Sequence, residues 1–461
     1  MEKNILSKST YIKGNQCLKY LFLYKKYPKL KDPIPQDRLA RFNRGTDVGV
    51  YAQQIFLGGI DCSPKSPSQY QKMIEFTAAQ IETGTKVLYE ALFQFDKTLV
   101  IIDILVMDEL GKYHAYEVKS SLKLSETYFE DASLQYYVIK NCLPNLETIS
   151  LIHLNPEYVL KSEIELSTLF KTEDITSIAK ERYSLIEEKI HLQLITLEQE
   201  NLPNIKVGAQ CYHPYDCEYL GYCWQHIPKP NFFDIPSVRF YGSEEEFDFQ
   251  NFEEEEIDVR FADDEIAIQQ AKALLNNEKY QHSIYNFQNP IFVKLLWMKP
   301  AIPIFEGTKP YENRLIGYSV IRFIGEEKKE FTEISENQDS LFSNLKNLVS
   351  SENTIICFEE NQDLTKSVFP ENRIVNLLED LKNGEFYHPS IKADFDIQNV
   401  MLAYTGKRPW FGKVSNDYFA SVKFESLHSK MDKIENEEIG KDILFYMKNY
   451  SNSIFKLYEN L

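Results

Sequence analysis

Apolar and polar positions change their spacing several times along the chain, and the changes predict alternating helices and strands. The stretch 87–121 alternates and clusters apolar residues as strands do, with one turn at Asp108–Gly111. Helices are predicted over 1–58, 67–87, 126–141 and 173–200, and a further strand over 148–155. A strand meander with flanking helices is an α/β pattern, so the first half is expected to form an α/β domain.

The pattern shifts after Pro230, where an acidic stretch leads into a predicted helix over 264–276. Mixed strands and helices then run to the end of the chain. We therefore predict a first domain over 1–230, an acidic linker and helix over 231–290, and a second α/β domain over 291–461.

Charge is distributed unevenly along the chain. The 51 Lys and Arg against 69 Asp and Glu give −18, which argues against a non-specific nucleic-acid coat protein. Residues 1–50, however, hold eleven basic and four acidic side chains, whereas 231–461 carry −15. Twelve acids and one arginine lie within Ser243–Ile266. This run is typical of a solvated face or linker, and the alternative is a segment that mimics nucleic-acid phosphate in a basic groove.

Several protein classes are excluded by the same sequence. No apolar run of about 18 residues is present, so no membrane span is expected. The first residues, MEKNILSKSTYIKG, lack the apolar core of a secretory signal. Seven cysteines, an odd number in a long chain, suit a reducing compartment better than a disulfide framework. We therefore expect a cytoplasmic protein.

An acidic pattern on two predicted strands indicates a metal site. Asp103 ends the apolar strand LVIID, and Glu117 and Lys119 lie on the next strand, in YEVKSS. Because residues i and i+2 share a strand face, Glu117 and Lys119 point the same way, and Asp103 can meet them across the hairpin. Two carboxylates are hard ligands for Mg²⁺ or Mn²⁺, and such a metal can polarise a phosphodiester. Lys119 would orient water or stabilise charge on the phosphoryl oxygens.

An isolated E-x-K pattern most often marks an exposed cross-strand charge pair, so the interpretation needs support from other residues. Neighbouring residues give that support. The helix that follows carries Asp131 and Gln135 one turn apart on one face. Glu90, on the strand before Asp103, is a further candidate metal ligand, and its alternative role is that of an edge-strand surface residue.

A second constellation is formed by cysteines. Three of them follow at equal spacing in an aromatic-rich loop: Cys211, Cys217 and Cys223. Cys17 lies far away in the sequence, in GNQCLKYLFL. The set suits a Zn²⁺ site, with His213 and His226 as further candidate ligands, or a [4Fe–4S] cluster, which takes four thiolates.

Residues 1–230 resemble the RecB-type nucleases of the PD-(D/E)XK superfamily that carry an iron–sulfur cluster. The residues that carry the resemblance are Cys17, Asp103, Glu117, Lys119, Gln135, Cys211, Cys217 and Cys223. The resemblance implies a restriction-endonuclease-like fold, Mg²⁺ or Mn²⁺ at the acidic residues and a [4Fe–4S] cluster on the four cysteines. Many relatives have a metal-binding histidine on an N-terminal helix, and Gly49 stands near that position here.

The whole chain is similar to a bacterial family that fuses this nuclease to an RNase-H-like, DnaQ-type exonuclease domain. Stretches such as YFEDASLQYYVIKN, CYHPYDCEYLGYCW and PAIPIFEGTKPYENRLIGYS carry this similarity. In the second domain Lys294-Leu295-Leu296 replaces a D-F-E motif, and Asn376 replaces a motif Asp. In the last helix, Tyr446-Met447-Lys448-Asn449-Tyr450 corresponds to a Tyr-Cys-x-x-Asp motif and lacks its acid. A two-metal exonuclease requires those carboxylates. We therefore expect a degenerate exonuclease domain kept for binding or scaffolding, with Glu359 as a surviving acid.

Three functional hypotheses follow. The first is a metal-dependent nuclease that acts on DNA, most simply on single-stranded ends or flaps. Its N-terminal basic residues would contact phosphates: Lys19, Lys25, Lys26, Arg38, Arg41 and Arg44. The second is a non-catalytic nucleic-acid-binding or assembly subunit with protein partners in a defence, mobile-element or DNA-processing complex. The third is a zinc-stapled protein without a nucleic-acid role.

Overall fold

The chain folds as two compact units. The computed structural model describes residues 4–33, 48–227, 229–231, 234–237, 257, 261, 264–427 and 433–461. The first unit comprises Met1–Gln225 and Pro300–Glu312, and the second comprises His226–Lys299 and Asn313–Leu461. The sequence pattern assigned 300–312 to the second domain, whereas in the structure Tyr311 packs in the first unit and donates a hydrogen bond to the Ser120 carbonyl at 2.7 Å.

A mixed β-sheet forms the frame of the first unit. Its strands in the described residues are β1 Leu6–Ser7, β2 Ile60–Asp61, β3 Val87–Phe95, β4 Thr98–Met107, β5 Tyr113–Lys119, β6 Leu146–Leu154 and β7 Phe170–Asp174. They pair in the order β2–β3–β4–β5–β6–β7, and β1 pairs parallel to β4. Strands β3, β4 and β5 are an antiparallel meander, and β5 pairs parallel to β6. The predicted strand meander is thus present.

The first unit also contains helices. Those given in full by the described residues are α1 Lys8–Gln16, α2 Leu18–Lys26, α3 Tyr70–Glu82, α4 Glu126–Cys142, α5 Leu166–Leu169, α6 Thr176–Glu181, α7 Tyr183–Glu198 and α8 Leu220–Trp224. Helix α4 packs on β3, β4 and β6, and its residues 131–139 are all buried. The apolar members of that run, such as Leu134 and Val138, complete one core with the sheet. Asp131 and Gln135 are polar members of the same run. Because they are buried, their side chains need hydrogen-bond partners within the protein.

The N-terminal region differs from the single long helix that the sequence pattern predicted. Helices α1 and α2 are separated at Cys17, whose φ of −166° and ψ of 122° are extended. Pro28 then starts a short 3-10 turn after α2. The break lets α1 and α2 leave Cys17 in different directions, which places that cysteine at a helix N-terminus.

The second unit contains seven strands within its described residues. They are β8 Tyr280–Gln281, β9 Pro290–Met298, β10 Arg314–Ile324, β11 Glu327–Ile334, β12 Thr354–Cys357, β13 Arg373–Asn376 and β14 Phe386–Tyr387. Five of them pair in the order β11–β10–β9–β12–β13. Strand β10 is antiparallel to both neighbours, whereas β9, β12 and β13 are parallel to one another. Strands β8 and β14 form a separate two-stranded ladder.

Helices pack on both faces of this five-stranded sheet. They are α9 Glu265–Asn276, α10 Gln338–Leu348, α11 Gln362–Val368, α12 Leu377–Lys382, α13 Ile397–Thr405, α14 Asp417–Ser426 and α15 Lys433–Tyr458. Helix α10 buries Leu341 and Leu345 against one face of the sheet. Helices α14 and α15 pack on β9 from the other face. Both units are therefore mixed α/β structures, as predicted. None of the described helices is both long and apolar enough to cross a membrane.

Candidate active site and cysteine site

The acidic site lies where β3, β4 and β5 run side by side. Glu117 and Lys119 share one face of β5, and the ammonium of Lys119 is 3.0 Å from Glu117 Oε1. Glu117 is 2% exposed, so its carboxylate is almost fully removed from water. The structure therefore brings the predicted E-x-K pair together as a buried ion pair and not as an exposed surface pair.

Asp103 joins this pair from β4. Its Oδ2 accepts a hydrogen bond of 2.6 Å from the backbone N–H of Val118, the residue between Glu117 and Lys119. The registered pairs between β3 and β4 stop at Tyr89–Ile104 and resume at Ala91–Ile102. The ladder therefore omits the position where Glu90 and Asp103 face each other, and Glu90 has a positive φ of 52°. This irregularity sets both predicted acids beside Glu117.

Helix α4 supplies the other predicted side chains. Gln135 is fully buried, and its amide nitrogen donates to Glu117 Oε2 at 2.6 Å and to the Ile101 carbonyl at 3.0 Å. Asp131 Oδ2 accepts from Lys119 at 2.8 Å, so the lysine bridges two carboxylates. One oxygen of Asp131 and the amide oxygen of Gln135 are buried without a hydrogen-bond partner. The spacing of one helical turn thus places both side chains on the site, as predicted.

Lys8 completes the site and was missed by the sequence pattern. Its ammonium lies 2.6 Å from Glu117 Oε1, the same oxygen that Lys119 contacts. It reaches the sheet because β1 pairs with β4 and α1 begins immediately after β1. A lysine 109 residues away from its partner gives no local sequence signal.

The pKa values of the carboxyl groups at the site are shifted in opposite directions. Burial raises the pKa of Glu90 to about 7, and the charge of Glu117 adds to this. Burial and Glu117 likewise raise the pKa of Asp103 well above its usual value. Burial opposes ionisation of Glu117 too, but Lys119 and Lys8 outweigh it and hold its pKa at about 2. Glu117 is therefore a fixed charge, and Glu90 and Asp103 hold protons that a divalent cation would displace.

The four predicted cysteines lie together at a second site. Cys17, Cys211, Cys217 and Cys223 line one cavity of about 310 Å³, which includes its open mouth. All four are free thiols. Neither His213 nor His226, both in the described residues, is part of that lining.

Hydrogen bonds fasten the N-terminal helices to the cysteine loop. The side chain of Gln16 donates to the carbonyls of Gln210 at 2.8 Å and Tyr215 at 2.7 Å. Glu218 accepts from Tyr20 at 3.0 Å and pairs with Lys31 at 3.1 Å. These contacts bring Cys17 to the loop although it is almost two hundred residues away in the sequence.

The four thiols have the chemistry needed to bind a metal ion or metal cluster as thiolates. Burial raises the pKa of Cys217 to about 12 and of Cys223 to about 11, and the neighbouring sulfur of Cys211 adds to both. Burial also raises the pKa of Cys211, so these three thiols resist ionisation unless a cationic centre compensates them. Among the described residues, no three His, Cys, Asp or Glu side chains are already arranged as a metal-ligand group.

The predicted phosphate-binding lysines make internal contacts. Lys19 donates to the Ile205 carbonyl at 2.6 Å, Lys25 to that of Ile5, and Lys26 to that of Gln199. Three arginines were also predicted to contact phosphates, and they lie outside the described residues: Arg38, Arg41 and Arg44. Gly49 is described, and a Cβ added there would meet no atom within 4 Å. The three lysines therefore act first as fasteners of α2 to its surroundings.

Comparison with known proteins adds little to this geometry. No family model and no curated protein matches the chain. The crystal structure of SSO0001 matches 44% of this chain and 81% of its own, with 11% sequence identity and a TM-score of 0.21. A likeness at that level carries no functional argument, and the site is interpreted from its own residues.

The second unit has a different buried ionic centre. Lys294 on β9 is fully buried, and its ammonium lies 3.0 Å from Glu359 and 2.6 Å from Asp417. The ring of Tyr450 lies 4.2 Å from the same ammonium, and Tyr446 donates to Asp417 at 2.8 Å. Burial lowers the pKa of Lys294, but Asp417 and Glu359 outweigh it and raise the pKa overall. A buried cation therefore lies between these two carboxyl groups, and burial raises the pKa of Glu359 to about 7 in spite of it.

Two further observations concern the residues expected at a degenerate exonuclease site. Asn376 uses its side chain to pair with the backbone of Glu359, accepting from its N–H at 3.0 Å and donating to its carbonyl at 2.7 Å. Asp417, at the start of α14, was missed because its partner Lys294 lies 123 residues earlier. Asn376 thus supports the backbone at Glu359.

Proposed function

We propose that the first unit is a metal-dependent DNA nuclease of the PD-(D/E)XK type. The observation that carries the proposal is the convergence of Lys119 and Gln135 on the buried carboxylate of Glu117. Asp103, on the neighbouring strand, accepts a hydrogen bond from the backbone of Val118, the residue next to Glu117. Such a constellation suits phosphodiester hydrolysis better than a structural ion pair. A purely structural pair gains nothing from the additional, protonated acids Glu90 and Asp103.

The residues have separate roles in this proposal. Asp103 and Glu117, with Glu90 beside them, would hold Mg²⁺ or Mn²⁺, which polarises the phosphodiester and lowers the pKa of an attacking water. Lys119, held between Glu117 and Asp131, presents a fixed positive charge toward the developing charge of the phosphoryl oxygens. Gln135 keeps Glu117 in one orientation through its hydrogen bond.

We propose that the four-cysteine cavity of the same unit binds a [4Fe–4S] cluster. Four thiols from two distant segments converge there, and the cavity lining includes no histidine. Four thiolates are the ligand set of such a cluster. Zinc with four cysteines is the alternative occupant. With either, the group would fasten α2 to the 205–223 loop, so its role is structural.

The second unit is proposed to be a degenerate RNase-H-like domain. The strand order β11–β10–β9–β12–β13, with β10 antiparallel to its neighbours, supports this together with the resemblance of its sequence. Lys294 on its central strand stands where the resemblance expects metal-binding acids. Because a lysine already pairs with Glu359 and Asp417, this unit is proposed to bind or scaffold and not to cleave.

A nuclease assay on the full chain tests the proposal. Labelled single-stranded DNA should be degraded with Mg²⁺ or Mn²⁺ and not with a chelator. Lys119→Ala should lower the rate about 10²- to 10³-fold, because it removes a preorganised charge. Lys112→Ala, an exposed lysine in the β4–β5 hairpin, serves as the matched control and should leave the rate unchanged.

The competing hypothesis, a non-catalytic nucleic-acid-binding subunit in a defence or DNA-processing complex, predicts a different result. Under it, DNA is bound but not degraded, and Lys119→Ala and wild type behave alike. That outcome would overturn the nuclease proposal and favour catalysis by a partner.

A further inference from the structure

We infer that Lys8 is a built-in competitor of the divalent cation, whose ammonium neutralises the carboxylates of the acidic site and leaves when the metal ion binds. The inference rests on the proposed function, because it concerns the same site. It adds a residue for which the sequence pattern gave no role.

The position of the ammonium is the first argument. Lys8 Nζ lies 2.6 Å from Glu117 Oε1, within hydrogen-bond distance of a predicted metal ligand. Its charge also acts on Asp103 and Glu90, lowering the pKa of each. A metal ion held by the same oxygens would face this ammonium at short range, and its double charge would repel the ammonium.

The charge balance is the second argument. The ammonium of Lys119 is already shared between Glu117 and Asp131 and is only 11% exposed. Among the positive charges of the described residues, Lys8 is the one that opposes the raised pKa of both Glu90 and Asp103. Lys8 therefore carries out in the metal-free protein the neutralisation that a divalent cation would provide.

The third argument is that Lys8 is free to withdraw. Its side chain is 32% exposed, whereas that of Glu117 is 2% exposed. The backbone of Lys8 is held in place, because Ser7 caps α1 through a reciprocal hydrogen-bond pair with Thr10. A four-carbon side chain on a fixed backbone at the edge of a site can rotate into solvent without unfolding a helix.

Manganese titration of the full chain tests the inference directly. Binding is followed by electron paramagnetic resonance of free Mn²⁺ in wild type, Lys8→Met, Lys8→Arg and Asp103→Asn. Lys8→Met should bind Mn²⁺ about tenfold more tightly than wild type, since a competing charge is removed. Lys8→Arg should resemble wild type. Lys72→Met, at an exposed lysine on α3, is the control and should leave the affinity unchanged.

Thermal unfolding separates competition from a merely structural role. Lys8→Met should unfold at a lower temperature than wild type without metal and should be stabilised more than wild type by added Mn²⁺. A structural lysine would lower both temperatures equally and leave the Mn²⁺ affinity unchanged, which overturns the inference.

The Asp103→Asn variant makes the two possible failures distinguishable. If this variant binds Mn²⁺ as wild type does, the acidic site is not a metal site, and both the proposed function and the role of Lys8 fail. If Asp103→Asn loses binding and Lys8→Met does not gain it, the inference alone fails and the proposed nuclease stands.

Discussion

Glu117 is the residue on which the acidic site depends. Both of its carboxylate oxygens are occupied, one by Lys8 and Lys119 and the other by Gln135. Nearly complete burial would ordinarily disfavour its charge, and the two lysines reverse that preference. The site thus contains a fixed anion beside Glu90, whose pKa is about 7, and Asp103, whose pKa burial raises well above its usual value.

Glu90 gives the first pH prediction. Its pKa of about 7 lies above the ordinary value, so the folded protein holds this proton more tightly than the unfolded chain does. Its stabilising effect is therefore complete below about pH 4.5 and is lost as pH rises through about 7. Urea unfolding of metal-free protein should show stability falling over this range. Glu90→Gln should flatten this dependence, and an unchanged slope would contradict the assignment.

Metal binding should have the opposite pH dependence. Because a cation displaces the protons of Glu90 and Asp103, Mn²⁺ affinity should rise from about pH 6 to about pH 8. In Glu90→Gln the rise should be smaller, since one displaced proton is absent. Isothermal titration in two buffers of different ionisation enthalpy counts the released protons. Equal proton release by wild type and variant would rule out Glu90.

Among the elements, the strands were more predictable than the N-terminal helices. The alternation in β5 placed Glu117 and Lys119 on one strand face, and the one-turn spacing in α4 placed Asp131 and Gln135 together. Asp103 was predicted to end its strand, but it lies inside β4, which continues to Met107. The contact of Lys8 with Glu117 depends on the long-range pairing of β1 with β4, and the break at Cys17 lies beside the long-range contacts of Gln16 with the cysteine loop. Neither has a local signal, and the same is true of the contact between Asp417 and Lys294.

The cysteine loop gives an element-level prediction. Cys217→Ser removes one of four thiols from the cavity, so the visible charge-transfer absorbance of an iron–sulfur cluster should be lost from protein purified without oxygen. Thermal stability should fall as well, because α2 loses its fastening to the loop. Cys142→Ser, at an exposed cysteine, is the control. A colourless wild type that contains zinc would replace the cluster proposal by the zinc alternative.

The buried ionic centre of the second unit, formed by Lys294, Glu359 and Asp417, gives another prediction at the level of elements. Lys294→Ala leaves Glu359 and Asp417 without their cation, so the unfolding free energy should fall by about 3–5 kcal/mol. Lys366→Ala, at an exposed lysine on α11, should change it little. Adding Glu359→Gln to Lys294→Ala should cost less than the sum of the single changes, because the two residues interact. Additive effects in urea denaturation would mean that the pair is not coupled.

For the whole molecule, the charge of −18 is the sum of dissimilar parts. The acidic run Ser243–Ile266 lies outside the described residues up to position 263, apart from 257 and 261. If it mimics phosphate, deletion of 243–263 should tighten single-stranded DNA binding at low salt and have little effect at high salt. Fluorescence anisotropy measures this. Equal affinities at low salt would leave the run a linker.

Glu117 and its neighbours are proposed to hold the metal ion with which the first unit cleaves DNA. Single-turnover degradation of labelled single-stranded DNA in Mn²⁺, by wild type and Glu117→Gln at saturating protein, tests it most directly. We expect cleavage by wild type and by Glu109→Gln, an exposed acid of the hairpin, and loss of at least about 10³-fold in Glu117→Gln while DNA binding persists. Equal rates for wild type and Glu117→Gln, or no cleavage by either, would contradict it.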